Sequence, residues 1–182
     1  MNNLDQLYFY SKSKHCNAGK GAREIVANSS DYAALNKIKD WRKVLSNFHN
    51  CPFKYEANGY TYNTIEHCFQ AQKIALVSKE KAFEFAMDSG SELSKGDGES
   101  ARKLGLSPRR KRKWVVLSPS ELTRWFKMSN EVMKQAAISK YAVSEEAREV
   151  LKHTGKAELW HLVPRSKEAI RFSHLERIRE SL

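Results

Sequence analysis

Glu66, Gln70 and Lys73 stand at i, i+4 and i+7. On a helix of about 3.6 residues per turn these positions share one face, so an acid, an amide and an amine fall on one polar stripe. A carboxylic acid can protonate a leaving group, and a lysine that has lost its proton can attack a carbonyl-type carbon. Ile65, Phe69 and Leu76 mark a neighbouring apolar face, the pattern of a pocket wall. Each residue also has a plainer reading, with Glu66 as a helix cap and Lys73 as an ordinary exposed lysine. His67 and Cys68 are adjacent and point in different directions on a helix, so they make no metal pair. H-E-x-x-H and G-x-S-x-G are absent, and so is the dinucleotide fingerprint. No metal or redox cofactor is expected. His15, His49, His153, His161 and His174 are scattered and read as surface or packing residues.

The surrounding pattern predicts the elements that must hold this stripe. Asn63 as N-cap with Glu66 at N3 predicts a capping box and a helix over 63–77. Tyr32, Leu35, Ile38 and Trp41 predict a helix from Asp31 to Val44. Tyr8, Phe9 and Tyr10 suit a short strand, and Asn58-Gly59 predicts a hairpin within 54–62. The NAGKG run at 17–21 lacks phosphate-loop spacing and reads as a turn. A helix is predicted near Lys79 to Met87, a Ser/Gly/Asp-rich loop over 88–98, and one or two helical turns over 99–104. Ser120 to Tyr141 reads as a long helix with Leu122, Trp125, Phe126, Val132, Met133 and Ala136 as its apolar stripe. Ser144 starts another helix, and Ser173 with Glu176 predicts a second capping box opening the last one. The expected fold is mainly α, a single domain over 1–182 with a small β-hairpin or sheet.

Composition bounds the rest. The 182 residues carry a formal net charge of +11 and a sequence pI near 9.6, which favours an anionic partner over simple surface solubility. Pro108 to Lys113, PRRKRK, reads as exposed loop, nucleic-acid contact or nuclear-import signal. Trp41 and Trp114 stand beside basic residues, where a ring can stack on a base or simply fill the core. Three cysteines, Cys16, Cys51 and Cys68, form no framework. No apolar run suits a membrane span and Met1 to Tyr10 lacks signal-peptide character, so a cytoplasmic location is expected.

Several segments together resemble one family, the NADAR (YbiA-like) N-glycosidase superfamily. They are Trp41 to Phe48 (WRKVLSNF), Pro52-Phe53, Gly59-Tyr60 and Thr64 to Lys73 (TIEHCFQAQK). The last carries the family's E-H-x-x-Q-x-x-K core. Asp88 to Ser91, Ala101 to Gly105, Trp125, Met133, Lys140-Tyr141, Leu151 to Gly155, Ala157 to His161 and Leu175 to Arg179 follow the family's order. The resemblance covers about residues 41–180, with 1–40 expected as an extension packed on that core.

The resemblance implies a mainly α YbiA-like domain that hydrolyses N-glycosides without a metal or cofactor. It implies Glu66 and Lys73 as catalytic residues, Glu66 assisting proton transfer and Lys73 forming a Schiff base at C1 of the sugar. Arg42 and Lys43 become candidates for holding a diphosphate and for lowering the Lys73 pKa. Asn47 and Phe48 become candidates for shaping the ribose or base pocket, Gln70 for binding substrate, and Trp125 for packing on the sugar or supporting the wall. Two substrate classes are known in the family: phosphoribosylated riboflavin-pathway intermediates, and ADP-ribose on guanine in nucleic acid. Trp160-His161 without a following W-G departs from the first class, and the basic charge favours the second. The expected partner is ADP-ribosylated nucleic acid or an ADP-ribose-like nucleotide, with no membrane and no obligate protein partner. A catalytically silent binding module is the alternative from another class.

Overall fold

The computed structural model describes residues 4–105, 115–163, 166 and 168–182. The PRRKRK run and Trp114 lie outside these residues. In chain order the elements are β1 (Gln6–Phe9), α1 (Ala33–Lys37), α2 (Trp41–Leu45), β2 (Phe53–Lys54), β3 (Thr61–Tyr62), α3 (Ile65–Ile74), α4 (Lys79–Phe83), α5 (Glu92–Lys95), α6 (Gly98–Gly105), α7 (Pro119–Val143), α8 (Glu145–His153), β4 (Glu158–Leu162), β5 (Ala169–Arg171) and α9 (Ser173–Glu180). The fold is mainly α with small sheets. It packs as two compact units, one of Met1–His49 with Ser144–Leu182, the other of Asn50–Val143.

In the first unit β4 is the middle strand of a three-stranded sheet, parallel to β1 and antiparallel to β5. Strand alternation puts Leu7, Phe9 and Leu159 in the core, fully buried. Tyr8 and Trp160, paired in register on the other face, stack with ring centroids 6.1 Å apart. Residues 6–9 are thus a structural strand of this unit. The sheet joins segments about 150 residues apart and no local signal announces β4 or β5. The predicted helix over 31–44 is instead a 3-10 turn at Ser29–Tyr32, α1 and α2. The break is Asp40, in the left-handed region at φ 56°, a conformation Asp tolerates better than most residues. Its amide donates to His15 Nδ1 at 3.1 Å, and its carbonyl accepts from Lys43 and Val44 to start α2 afresh. The Ser173 capping box does not form. Phe172 occupies the cap position with no side-chain bond, because Glu176 is taken by the Leu159 amide (2.9 Å) and by Arg171.

In the second unit α3 is central and packs against α4, α6 and α7. The Asn58-Gly59 hairpin forms, with Gly59 at φ 75°, but its strands are two residues each. The helix predicted over 79–87 ends at Phe83, and the predicted loop holds a 3-10 turn at Met87–Ser89 and α5. Ser78 caps α4 and Ser91 caps α5, their hydroxyl oxygens accepting from Lys81 N and Ser94 N. On α7, Trp125, Val132 and Ala136 are buried, whereas Leu122 and Phe126 are exposed. Phe126 follows Trp125 by about 100° of helix rotation, so the two cannot both face inward.

Candidate active site

The site begins with the start of α3. Thr64, not Asn63, is the N-cap, and its hydroxyl oxygen accepts from His67 N. That moves Glu66 to the second helical position, where no capping box can form. Asn63 instead donates from its amide to the Gly96 carbonyl at 3.1 Å. His67 is a pin for this start. Its Nε2 lies 3.0 Å from the Leu93 carbonyl and its Nδ1 2.8 Å from Thr64 Oγ1. A carbonyl only accepts, so Nε2 carries the proton and Nδ1 accepts from the Thr64 hydroxyl. Burial holds the imidazole below its ordinary pKa, consistent with a neutral ring.

Relieved of capping, Glu66 turns along the polar face. Its Oε1 accepts from Gln70 Nε2 at 2.7 Å. Glu66, Gln70 and Lys73 are all buried, at 6%, 3% and 9% exposure, a degree of burial that a solvated stripe would not show. Burial pushes the Glu66 carboxyl up to about 6, against the Gln70 hydrogen bond and the charges of Lys73 and Arg102. Burial also lowers the Lys73 amine, opposed by the Glu66 charge. The Lys73 amine has no hydrogen-bond or ion-pair partner among the described residues. A protonatable acid and an amine biased toward its neutral form, on one helix face, is a pairing suited to acid-assisted nucleophilic chemistry.

Two residues without an assigned role in the sequence reading shape this wall. Gly105, at the end of α6, lies against Gln70 so closely that an added Cβ would fall on the Gln70 amide. Ala101, one turn earlier, is fully buried. The A-x-x-x-G spacing therefore lets α6 close on α3, a signal legible only once the two helices are known to pack. Gly105→Ala is expected to push the Gln70 amide off Glu66 and to lower stability by about 1–3 kcal/mol, read as a drop in denaturation midpoint. Gln70 Oε1 is buried with no partner among the described residues. Arg102, ion-paired with Glu99 at 2.8 Å, adds positive potential near Glu66. Trp125 packs edge-to-face on Phe69, centroids 4.7 Å apart, and so braces α3.

The remaining candidates lie in the other unit. Arg42 is 3% exposed. Its guanidinium donates to both Glu24 oxygens (2.8 and 2.7 Å) and to the carbonyls of Cys16 (2.6 Å) and Asn17 (3.1 Å), and lies 3.9 Å from the Trp41 ring centroid. Removing it would leave Glu24, with a side chain 0% exposed, without its ion-pair partner. Arg42→Met is expected to lower unfolding free energy by about 3–5 kcal/mol, measured by denaturant titration. Lys43 pairs with Asp40 at 3.2 Å on the surface. Asn47 is buried and Phe48 half-buried at the end of the same segment. Glu66, Gln70, Lys73 and Trp125 thus share one unit, and Arg42, Lys43, Asn47 and Phe48 the other.

Among the described residues no three His, Cys, Asp or Glu side chains gather as a metal-binding group. The three cysteines are free thiols. No described helix is long and apolar enough to cross a membrane.

Comparison with known proteins agrees with this architecture. The NADAR domain family model matches residues 35–167. Among solved structures, the NMR structure of the E. coli protein YbiA is similar in fold, with a TM-score of 0.55 over 98% of this chain and 86% of that one, at 18% identity. No curated protein matches the chain in sequence comparison.

Proposed function

Since this chain belongs to the NADAR domain family, we propose that it is an N-glycoside hydrolase that removes ADP-ribose from ADP-ribosylated guanine in nucleic acid. The observation that carries the reading is the buried Glu66–Gln70–Lys73 face, in which burial drives both the acid and the amine toward their neutral forms. The +11 net charge supports a polyanionic substrate.

The chemistry follows from those protonation states. The neutral Lys73 amine attacks C1 of the ribose and the N-glycosidic bond breaks. The bonding pair leaves with the base, which takes a proton from Glu66. The Glu66 carboxylate takes a proton from the lysine nitrogen and passes it to O4′ as the C1–O4′ bond opens, which leaves a protonated Schiff base between Lys73 and C1. Water adds to that imine, with Glu66 now accepting the proton, and expels the lysine to release ADP-ribose. Gln70 holds the Glu66 carboxyl in place by the 2.7 Å bond. Trp125 and Phe69 support the wall behind it.

An oligonucleotide carrying one ADP-ribosylated guanine tests this reading. The expected result is release of free ADP-ribose without added metal and, with borohydride present, a covalent protein–sugar adduct. Absence of both, from protein shown to be folded, would sink it and point to small phosphoribosylated amines as substrates.

A further inference from the structure

The loop over 16–24 lies in the unit that does not hold Glu66 and Lys73, and it is built around a carboxylate of its own. Glu24 Oε2 accepts from the amides of Gly19 (2.8 Å) and Gly21 (2.9 Å), and Oε1 from the amide of Tyr8 (3.3 Å). The Arg42 fork closes the carboxylate from the other side. Backbone amides that converge in this way form an anion cradle, and here the anion is internal. The glycine turn is therefore not free to take a phosphate on its amides. What it does is hold Lys20 outward.

Beside that turn opens a cleft of about 410 Å³, lined among others by Tyr8, Tyr10, Lys12, Lys14, His15 and Lys20. Its size suits a ligand of nucleotide dimensions. Lys12, Lys14 and Lys20 are exposed and make no ion pair among the described residues. No Asp or Glu stands among the described residues that line the cleft. The Arg42–Glu24 pair beneath it has cancelled its own charge, so the cleft keeps a net positive potential from the three lysines. Its aromatic side is fixed in advance. Tyr8 stacks on Trp160 and donates its hydroxyl to Gln6 Oε1 at 3.1 Å, so its ring is held before any ligand arrives. Unpaired lysines beside a held aromatic ring are the combination that takes phosphates and stacks bases together. A bare anion would need only the lysines.

We propose that this cleft binds a nucleotide unit, its phosphates on Lys12, Lys14 and Lys20 and its base against Tyr8 and Tyr10. The unit can come from a single strand of nucleic acid or from a free nucleotide, which share this chemistry. The inference stands apart from the glycosidase reading, since it needs no modified base and no turnover.

The test is equilibrium binding of a fluorescent, unmodified pentanucleotide to the full chain by anisotropy, across a salt series. Three phosphate contacts to a single strand contribute a log–log salt slope of about −2, at roughly −0.7 per contact. The triple variant Lys12→Ala, Lys14→Ala, Lys20→Ala is expected to flatten the slope by about 2 and to keep the natural denaturation midpoint. A control triple on the other unit, Lys79→Ala, Lys95→Ala, Lys127→Ala, is expected to leave the slope unchanged. A strand of the same length without bases should compete roughly tenfold more weakly than the natural strand. Competition by a mononucleotide 5′-phosphate at similar concentration would identify free nucleotide as the source, and weak competition would identify the strand. An unchanged slope in the cleft triple, an equal flattening in the control, or an abasic strand that competes equally well would each overturn the proposal.

Discussion

Lys73→Ala is expected to abolish release of ADP-ribose from the modified oligonucleotide, lowering kcat roughly 10⁴-fold or more, the scale seen when a covalent nucleophile is removed. The borohydride-trapped adduct should vanish with it. Lys73 is 9% exposed, and burial favours its neutral form. Replacing it with alanine removes an amine that has no hydrogen-bond or ion-pair partner among the described residues, so the fold should survive. Lys73→Arg separates charge from nucleophilicity. An arginine keeps a cation at the site but does not lose its proton in the accessible range, so it should be as inactive as alanine. Activity in either variant above a few per cent of the natural chain would show that the amine is not the nucleophile.

The second large effect is expected at Glu66, and it has two separable readouts. Glu66→Gln keeps the shape of the side chain and can still bond Gln70, but it cannot donate or accept the proton that the departing base and the incoming water exchange. A loss of roughly 10²–10⁴-fold in kcat is expected, together with disappearance of the pH dependence centred near 6. Stability should move the opposite way. The carboxyl has a folded pKa of about 6 against an ordinary value of 4.5, so the unfolded chain gives up this proton first as pH rises. Stability from this group is fully present below about 4.5 and is lost as pH climbs through about 6. The loss is about 2 kcal/mol at neutral pH, at about 1.4 kcal/mol per unit. Glu66→Gln is isosteric and uncharged, so it should recover much of that amount at pH 8 and little at pH 4. A variant less stable than the natural chain at pH 8 would mean the carboxylate is held by favourable contacts, not strained by burial.

The two effects point to one physical cause. The polar face of α3 is built into packed surroundings by α4, α6 and α7, and packing there desolvates groups that would be ionised in water. Gly105 without a side chain and Ala101 with a small one let α6 come close. Larger residues at either position would hold the helices apart and admit water, which would return both groups toward their ordinary ionisation.

How much of this was legible from residues alone can be read at particular positions. Spacing placed Glu66, Gln70 and Lys73 on one helix face, because a helix period is a local property of the chain. The order of segments around TIEHCFQAQK placed the chain in its family, and the mainly α character followed from repeated apolar periodicity. Asn58-Gly59 announced its hairpin because a tight turn needs only its own residues. Capping was read one residue early at Asn63, since Asn63 and Thr64 both suit the role and only the Leu93–His67–Thr64 bonds decide between them. The helix over 31–44 failed at Asp40, where a bond to His15 holds the backbone left-handed. Tyr8 and Phe9 suggested β1, but its pairing with β4 was invisible because the two strands meet across most of the chain. Burial of the site was equally out of reach. The types and spacing of Glu66 and Lys73 are written in one helix, but whether they sit in water or in protein depends on α6 and α7. Their ionisation, and with it their capacity for chemistry, is therefore a property of the tertiary structure.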